Sequence, residues 1–175
     1  KHIVTPVSSN SAVEKSEIFD TVTRTQIGSP YVIAGMNKLL DDGHNKIAGY
    51  EANGGFLMAD DIEIDGKILS ALPTRDAVIV LLSLLLLSKQ KNCSISELAK
   101  DLPQRFTYSD RIKNIPTKIS QKIINRYLDK TTGKEKIEAD FNGAFQSPSS
   151  VIGIDNTDGL RIYFKNKNII HFRPS

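Results

Sequence analysis

Hydrophobic and polar positions change period several times along this chain. The opening run, His2-Ile3-Val4-Thr5-Pro6-Val7, is β-branched and predicts a strand, and Ser8 to Ser11 form a polar turn. Residues 12–19 have the spacing of a short amphipathic helix, and residues 20–25 alternate as a second strand. Gly28 then breaks the pattern. Ser29-Pro30 predicts a helix start, with Ser29 as N-cap and Pro30 at the first helical position, where a missing N–H costs nothing. Val32, Ile33, Met36, Leu39 and Leu40 recur at helical spacing as far as Gly43. Residues 46–50 read as a third strand, 51–55 as a loop, 56–58 as a return to extended structure, and Asp65-Gly66 as a hairpin turn. Strands alternating with helices predict an α/β module.

Residues 77–87 are apolar except for Ser83, a run too short to span a bilayer and bracketed by Arg75 and Lys89. They predict a helix buried on most sides. Ser94 with Glu97 three residues later has the form of a capping box for a helix over 95–102, which Pro103 ends. Beyond it the pattern predicts a strand over 106–112, a helix over 118–128, and a charged loop over 130–138, and it leaves 139–150 unassigned. Strands over 151–154, 160–164 and 168–172, separated by turns, predict an antiparallel meander beside a helix, an α+β module.

Charge sharpens the division. Residues 1–88 carry 7 basic and 11 acidic side chains, whereas residues 89–175 carry 16 basic and 9 acidic, although the whole chain is only +3. A field of that sign in the second half favours anions. The expected boundary lies between Ser88 and Arg105, with modules at 1–98 and 99–175. One cysteine, Cys93, cannot form an internal disulfide, and the histidines and cysteine have no zinc-site spacing, so a reducing cytoplasmic compartment is the default expectation. An opening on Lys1 and a strand running out at Ser175 predict a piece of a longer protein.

The loop Gly49-Tyr50-Glu51-Ala52-Asn53-Gly54-Gly55 carries the most chemistry. A strand delivers a carboxylate and a carboxamide two residues apart, and two glycines let a ligand approach the main chain. Glu51 only accepts hydrogen bonds when ionised, while Asn53 donates and accepts. Vicinal sugar hydroxyls need that combination. A bulged connection whose Glu and Asn cap backbone groups has the same sequence. His2, His44 and His171 sit in strands or a polar turn and suggest no base, and Asp41-Asp42 and Asp60-Asp61 read as solvated turn acids, not metal ligands.

With the segments that follow it, this loop resembles the α-D-phosphohexomutases, the phosphomannomutase and phosphoglucomutase family. That family has a Gly-Glu-x-Ser-Gly type loop in its third domain, then a leucine-rich helix leading to a fourth domain. The fourth domain has an Asp-Gly turn, a strand and a phosphate loop beginning Arg-x-Ser. Here Glu51 matches the family Glu, Asn53 stands where Ser is commoner, and Asp158-Gly159-Leu160-Arg161 and Arg173-Pro174-Ser175 follow in order. The sequence departs from the family at Ser8 and Ser9, where a Lys is frequent, at Gly55, where a His is frequent, and at Thr74-Arg75-Asp76-Ala77, where the helix often opens on Asp-Gly.

The resemblance implies an α/β third-domain module followed by a small α+β, TATA-binding-protein-like module, an antiparallel sheet with a helix. It also implies the C-terminal part of an intramolecular phosphotransferase that interconverts hexose 1-phosphate and 6-phosphate. Glu51, Asn53, Gly54, Gly55, Ser29 and Arg75 would bind the sugar phosphate, with Arg75 either adding positive charge there or bridging to Asp76 or Asp61. Arg173 and Ser175 would open the phosphate loop, since a guanidinium beside a hydroxyl forms a fork for a dianion. The phosphoserine, the Mg²⁺ held by aspartates and the turning of a hexose bisphosphate intermediate belong to domains outside this sequence, so the chain alone is expected to be inert. The expected partners are the hexose phosphate and the missing N-terminal domains, with no nucleic acid and no membrane.

Two rivals come from other classes. A basic nucleic-acid-binding module would use Arg105, Arg111, Lys113, Lys118, Lys122, Arg126, Lys130, Lys134 and Lys136, of which Lys118, Lys122 and Arg126 share one helical face. Few aromatics interleave with them for base stacking. A non-catalytic interaction module is the other.

Overall fold

The β-branched opening strand sets the architecture of the first half. β1 (His2–Pro6) is flanked in parallel by β2 (Thr21–Thr25) and by β3 (Ile47–Tyr50), and β4 (Phe56–Met58) adds antiparallel to β3, giving the order β2-β1-β3-β4. Parallel neighbours require crossovers. These are α1 (Ala12–Lys15) and α2 (Ser29–Asp41), the first shorter than its sequence predicts. α2 has Gly28, not Ser29, at its N-cap, and it buries Val32 and Met36 against Val4, Ile47 and Leu57. This computed structural model describes residues 1–145 and 148–174, and it divides into two units, Lys1–Tyr108 and Ser109–Ser175.

The Asp65-Gly66 turn joins β5 (Ile62–Ile64) to β6 (Lys67–Leu69), an exposed two-stranded hairpin. α3 (Ala77–Lys91) follows, and it corrects the expectation of a buried helix. None of its residues is buried, and Leu81, Leu82 and Leu85 are 61%, 57% and 58% exposed. An apolar run that lies all round a helix singles out no stripe to face a core. The helix is fixed at its ends instead: Asp76 accepts from the N–H groups of Val78 and Ile79, and Asn92 adopts the left-handed conformation at the C-cap. α4 (Ile95–Leu98) has the expected capping box, with Ser94 and Glu97 satisfying one another's backbone N–H groups.

The units divide further along the chain than the expected boundary, and two hydrogen bonds give the reason. Asn10 Nδ2 donates to the Arg105 carbonyl at 2.7 Å, and Arg105 Nε donates to Ser11 Oγ at 3.0 Å. The stretch after α4 is thereby tied to the turn after β1. Residues 106–112 are not a strand: Phe106, Tyr108 and Ile112 are largely exposed, and no strand among the described residues pairs with this segment.

The second unit is α+β, as expected. α5 (Thr117–Leu128) and α6 (Gly133–Phe141) pack with β7 (Val151–Asp155), β8 (Leu160–Phe164) and β9 (Ile169–Phe172), an antiparallel meander in chain order. Its core is Ile124, Tyr127, Ile137, Val151, Leu160, Ile162 and Phe164. The charged loop expected over 130–138 is mostly α6, because Ile137 and Phe141, one turn apart, give the polar segment an apolar seam to bury.

Candidate functional site

In the first unit the site grows from the end of β3. Gly55 O accepts from Glu51 N at 2.8 Å, and Glu51 O accepts from Gly54 N at 3.0 Å, so the loop closes on itself within five residues. Gly54 makes the reversal at φ +92°, a conformation that L side chains rarely adopt. Asn53 Oδ1 accepts from Gly55 N at 3.0 Å, leaving the Asn53 amide group exposed with donors to offer.

The Glu51 carboxylate is largely enclosed and does not face an open cleft. Its side chain is only 7% exposed. Oε2 accepts from Ser29 Oγ at 3.0 Å and lies 3.5 Å from Nε of Arg75. Ser29 opens α2, so the carboxylate also meets the positive end of that helix dipole. The other oxygen, Oε1, has no hydrogen-bond partner among the described residues, and no described buried side-chain oxygen or nitrogen lacks one, so Oε1 retains contact with solvent. The Arg75 guanidinium bonds neither Asp76 nor Asp61; those acids cap α3 and hold the Ala71 N–H.

Five of the residues expected at the site, Ser29, Glu51, Asn53, Gly55 and Arg75, are thus brought together by contact, with Gly54 supplying the turn. The Ser29–Glu51–Arg75 linkage had one sequence signal, the coincidence of a loop Glu with a helix-opening Ser and an unmatched Arg.

In the second unit, Arg173 follows β9. Its Nε donates to Asp158 Oδ1 at 3.0 Å, an ion pair with 47% and 17% of the two side chains exposed. Gly159 beside it leaves room for the Phe172 carbonyl, which a Cβ would meet at 2.2 Å. Ser175 lies outside the described residues. On the basic face of α5, Arg126 is committed to Asp140 at 3.0 Å, leaving Lys118 and Lys122 exposed.

Among the described residues, no three His, Cys, Asp or Glu side chains gather to hold a metal ion. No single described helix is long and apolar enough to cross a membrane.

Comparison with known proteins joins these observations to a family. Residues 1–106 match the model of phosphoglucomutase/phosphomannomutase, alpha/beta/alpha domain III. A phosphomannomutase of Salmonella muenchen is 47% identical over 174 residues, and one of Sinorhizobium fredii (strain NBRC 101917 / NGR234) is 34% identical over 175 residues. These matches take in 99% and 100% of this chain but 34% and 35% of the relatives, so the chain spans about a third of their length. A solved structure assigned to the phosphomannomutases, from Thermus thermophilus, superposes with a TM-score of 0.52 at 15% identity, over 98% of this chain and 30% of that one, which is a likeness of fold. The match of the domain III model over residues 1–106, more than half of the chain and all of its α/β sheet, places the chain in the phosphoglucomutase/phosphomannomutase family.

Proposed function

We propose that this chain is the hydroxyl- and phosphate-recognising C-terminal part of a phosphomannomutase that interconverts hexose 1-phosphate and hexose 6-phosphate. The observation that carries the reading is the state of Glu51. Ser29 and Arg75 hold one carboxylate oxygen, and the other remains an unfilled acceptor beside the exposed Asn53 amide and a glycine turn. A charged acceptor that keeps contact with solvent, beside an exposed neutral donor, suits two neighbouring sugar hydroxyls. The named relatives, which share up to 47% identity, support the substrate class.

In this reading the first unit is part of the third domain of the parent enzyme and holds sugar hydroxyls. The second unit is its fourth domain, in which Arg173, released from Asp158, and Ser175 open the loop for the distal phosphate. The chemical step, transfer from a phosphoserine to make a bisphosphorylated sugar and then back to the serine, belongs to the remaining domains. Magnesium would serve there by neutralising phosphate charge; the residues of this chain bind and orient. The single cysteine, Cys93, suits a reducing cytoplasm.

The test is Glu51→Gln in the full-length protein. The substitution keeps the shape and removes the charged acceptor, so KM for hexose phosphate should rise roughly ten- to a hundred-fold, the range of a hydrogen bond to a charged group. Loss of thermal stability with unchanged turnover per folded molecule would instead make Glu51 a structural group. The purified 175-residue chain should show no interconversion of hexose phosphates.

A further inference from the structure

Gly55 and Arg75 occupy one another's space. A Cβ built on Gly55 would stand 2.6 Å from Cδ and 2.7 Å from Cγ of Arg75, closer than real carbon atoms come. The aliphatic stem of Arg75 lies where a side chain at position 55 would begin, and only glycine leaves it there.

The guanidinium makes one ion contact, where Nε faces Glu51 Oε2 at 3.5 Å. The side chain remains 57% exposed, and among the described residues no partner meets its Nη atoms. A guanidinium is a rigid fork of five N–H donors, so the Nη edge is a planar pair of donors left open beside the sugar loop. Charge points the same way. Glu51 alone would repel a dianion, and Arg75 both offsets that carboxylate and keeps its remaining donors unused. Asp60, Asp61 and Asp76 do not compete for it, since each accepts from backbone N–H groups, of Lys46 and Ile47, of Ala71, and of Val78 and Ile79.

We propose that Arg75 binds a phosphoryl group of the hexose phosphate whose hydroxyls the Glu51–Gly55 loop holds, with Glu51 orienting the guanidinium and Gly55 kept free of a side chain so that the stem can cross it. This rests on the hydroxyl-binding reading above and adds to it a donor for the anionic end of the ligand from within the first unit. Glu51 then has two tasks on two oxygens: Oε2 positions Arg75, and Oε1 meets the sugar.

The experiment measures dissociation constants by calorimetry for a hexose 1-phosphate and for inorganic phosphate, on the full-length protein and variants of it. Arg75→Ala should weaken both ligands roughly ten- to a hundred-fold, the range of a charge-assisted hydrogen bond. Arg75→Lys should recover only part of the loss, because a point charge lacks the fork. Gly55→Ala should resemble Arg75→Ala, and the double variant should be no weaker than Arg75→Ala alone, since both changes remove the same contact. Asn53→Ala should weaken the hexose phosphate and leave inorganic phosphate unaffected. Unchanged phosphate binding in Arg75→Ala, with weakened sugar binding in Asn53→Ala, overturns the role of Arg75 and leaves the hydroxyl reading standing. Unchanged hexose phosphate binding in both variants overturns both. Additive losses from Gly55→Ala and Arg75→Ala overturn the linkage between the two residues. Arg75→Gln, which keeps the stem across Gly55, is the replacement for Arg75→Ala should the alanine variant fail to fold.

Discussion

Helices α3 and α5 are of similar length, and the more hydrophobic one is the one with no fully buried residue. α3 carries Leu81, Leu82, Leu84, Leu85, Leu86 and Leu87, with Val78, Ile79 and Val80 before them, yet no residue of it is buried. α5 is polar on average, with Lys118, Gln121, Lys122 and Arg126 along it, and it buries Ile124 and Tyr127 in the core of its unit. What distinguishes them is arrangement. In α5, Ile124, Tyr127 and Leu128 stand at i, i+3 and i+4 and form one stripe that faces Ile137 and the meander; in α3 the apolar residues surround the axis and single out no face. Total hydrophobicity therefore says little about where a helix sits, and the distribution around its axis says much more.

The comparison breaks most directly at Ile124. Ile124→Ala removes a side chain that is only 4% exposed from the core of the second unit, and should cost about 2–5 kcal/mol in chemical denaturation. A loss below about 0.5 kcal/mol would mean that α5 is no better packed than α3.

Next in size is the cap of α3. Because this helix is anchored at its ends, Asp76→Ala should cost about 1 kcal/mol, and Asp76→Asn much less, since the carboxamide still accepts from the N–H groups of Val78 and Ile79. Amide hydrogen exchange in the first turn of α3 reads this out, and equal protection in the alanine variant would show that some other contact holds the helix.

A smaller effect belongs to the capping box after α3. The Ser94 backbone N–H, and then its hydroxyl, hold the Glu97 carboxyl below its usual range. A folded-state value lowered in this way adds stability at pH values above the unfolded glutamate value, and that stability fades as pH falls through the folded value. Protection of α4 should therefore be full near neutrality and decline in acid. In Ser94→Ala the decline should begin at higher pH, and an unshifted profile would detach Glu97 from the cap.

The same contrast shows how much was legible in the sequence. α2 and the meander were readable because Val32 and Met36, and the alternation of Leu160, Ile162 and Phe164, give one-sided patterns. The loop at Glu51 and Asn53 stood out by residue type. Residues 106–112 alternate like a strand, but a strand needs a partner, and partnership is not a local property. α6 hid behind its charges because two residues, Ile137 and Phe141, carry its seam. The Arg75–Glu51 pair joins a loop to the entrance of a later helix, a contact that only the fold creates.

The smallest expected effect lies on the surface of α3. Leu82 and Leu85 are both more than half exposed, and glutamine matches leucine closely in helix propensity, so Leu82→Gln with Leu85→Gln should change the stability of the 175-residue chain by no more than about 0.5 kcal/mol. Two leucines buried in a core would instead cost several kilocalories per mole, because each would lose its packing and leave a polar amide without water. The same double variant should lower the binding of an apolar fluorescent dye, since it removes contiguous apolar surface that is open to solvent. Stability and dye binding thus respond in opposite proportion to what they would at Ile124, where stability falls and native-state dye binding has nothing to lose. A large stability loss in the double variant, with dye binding unchanged, would place these leucines inside a core and erase the difference between the two helices.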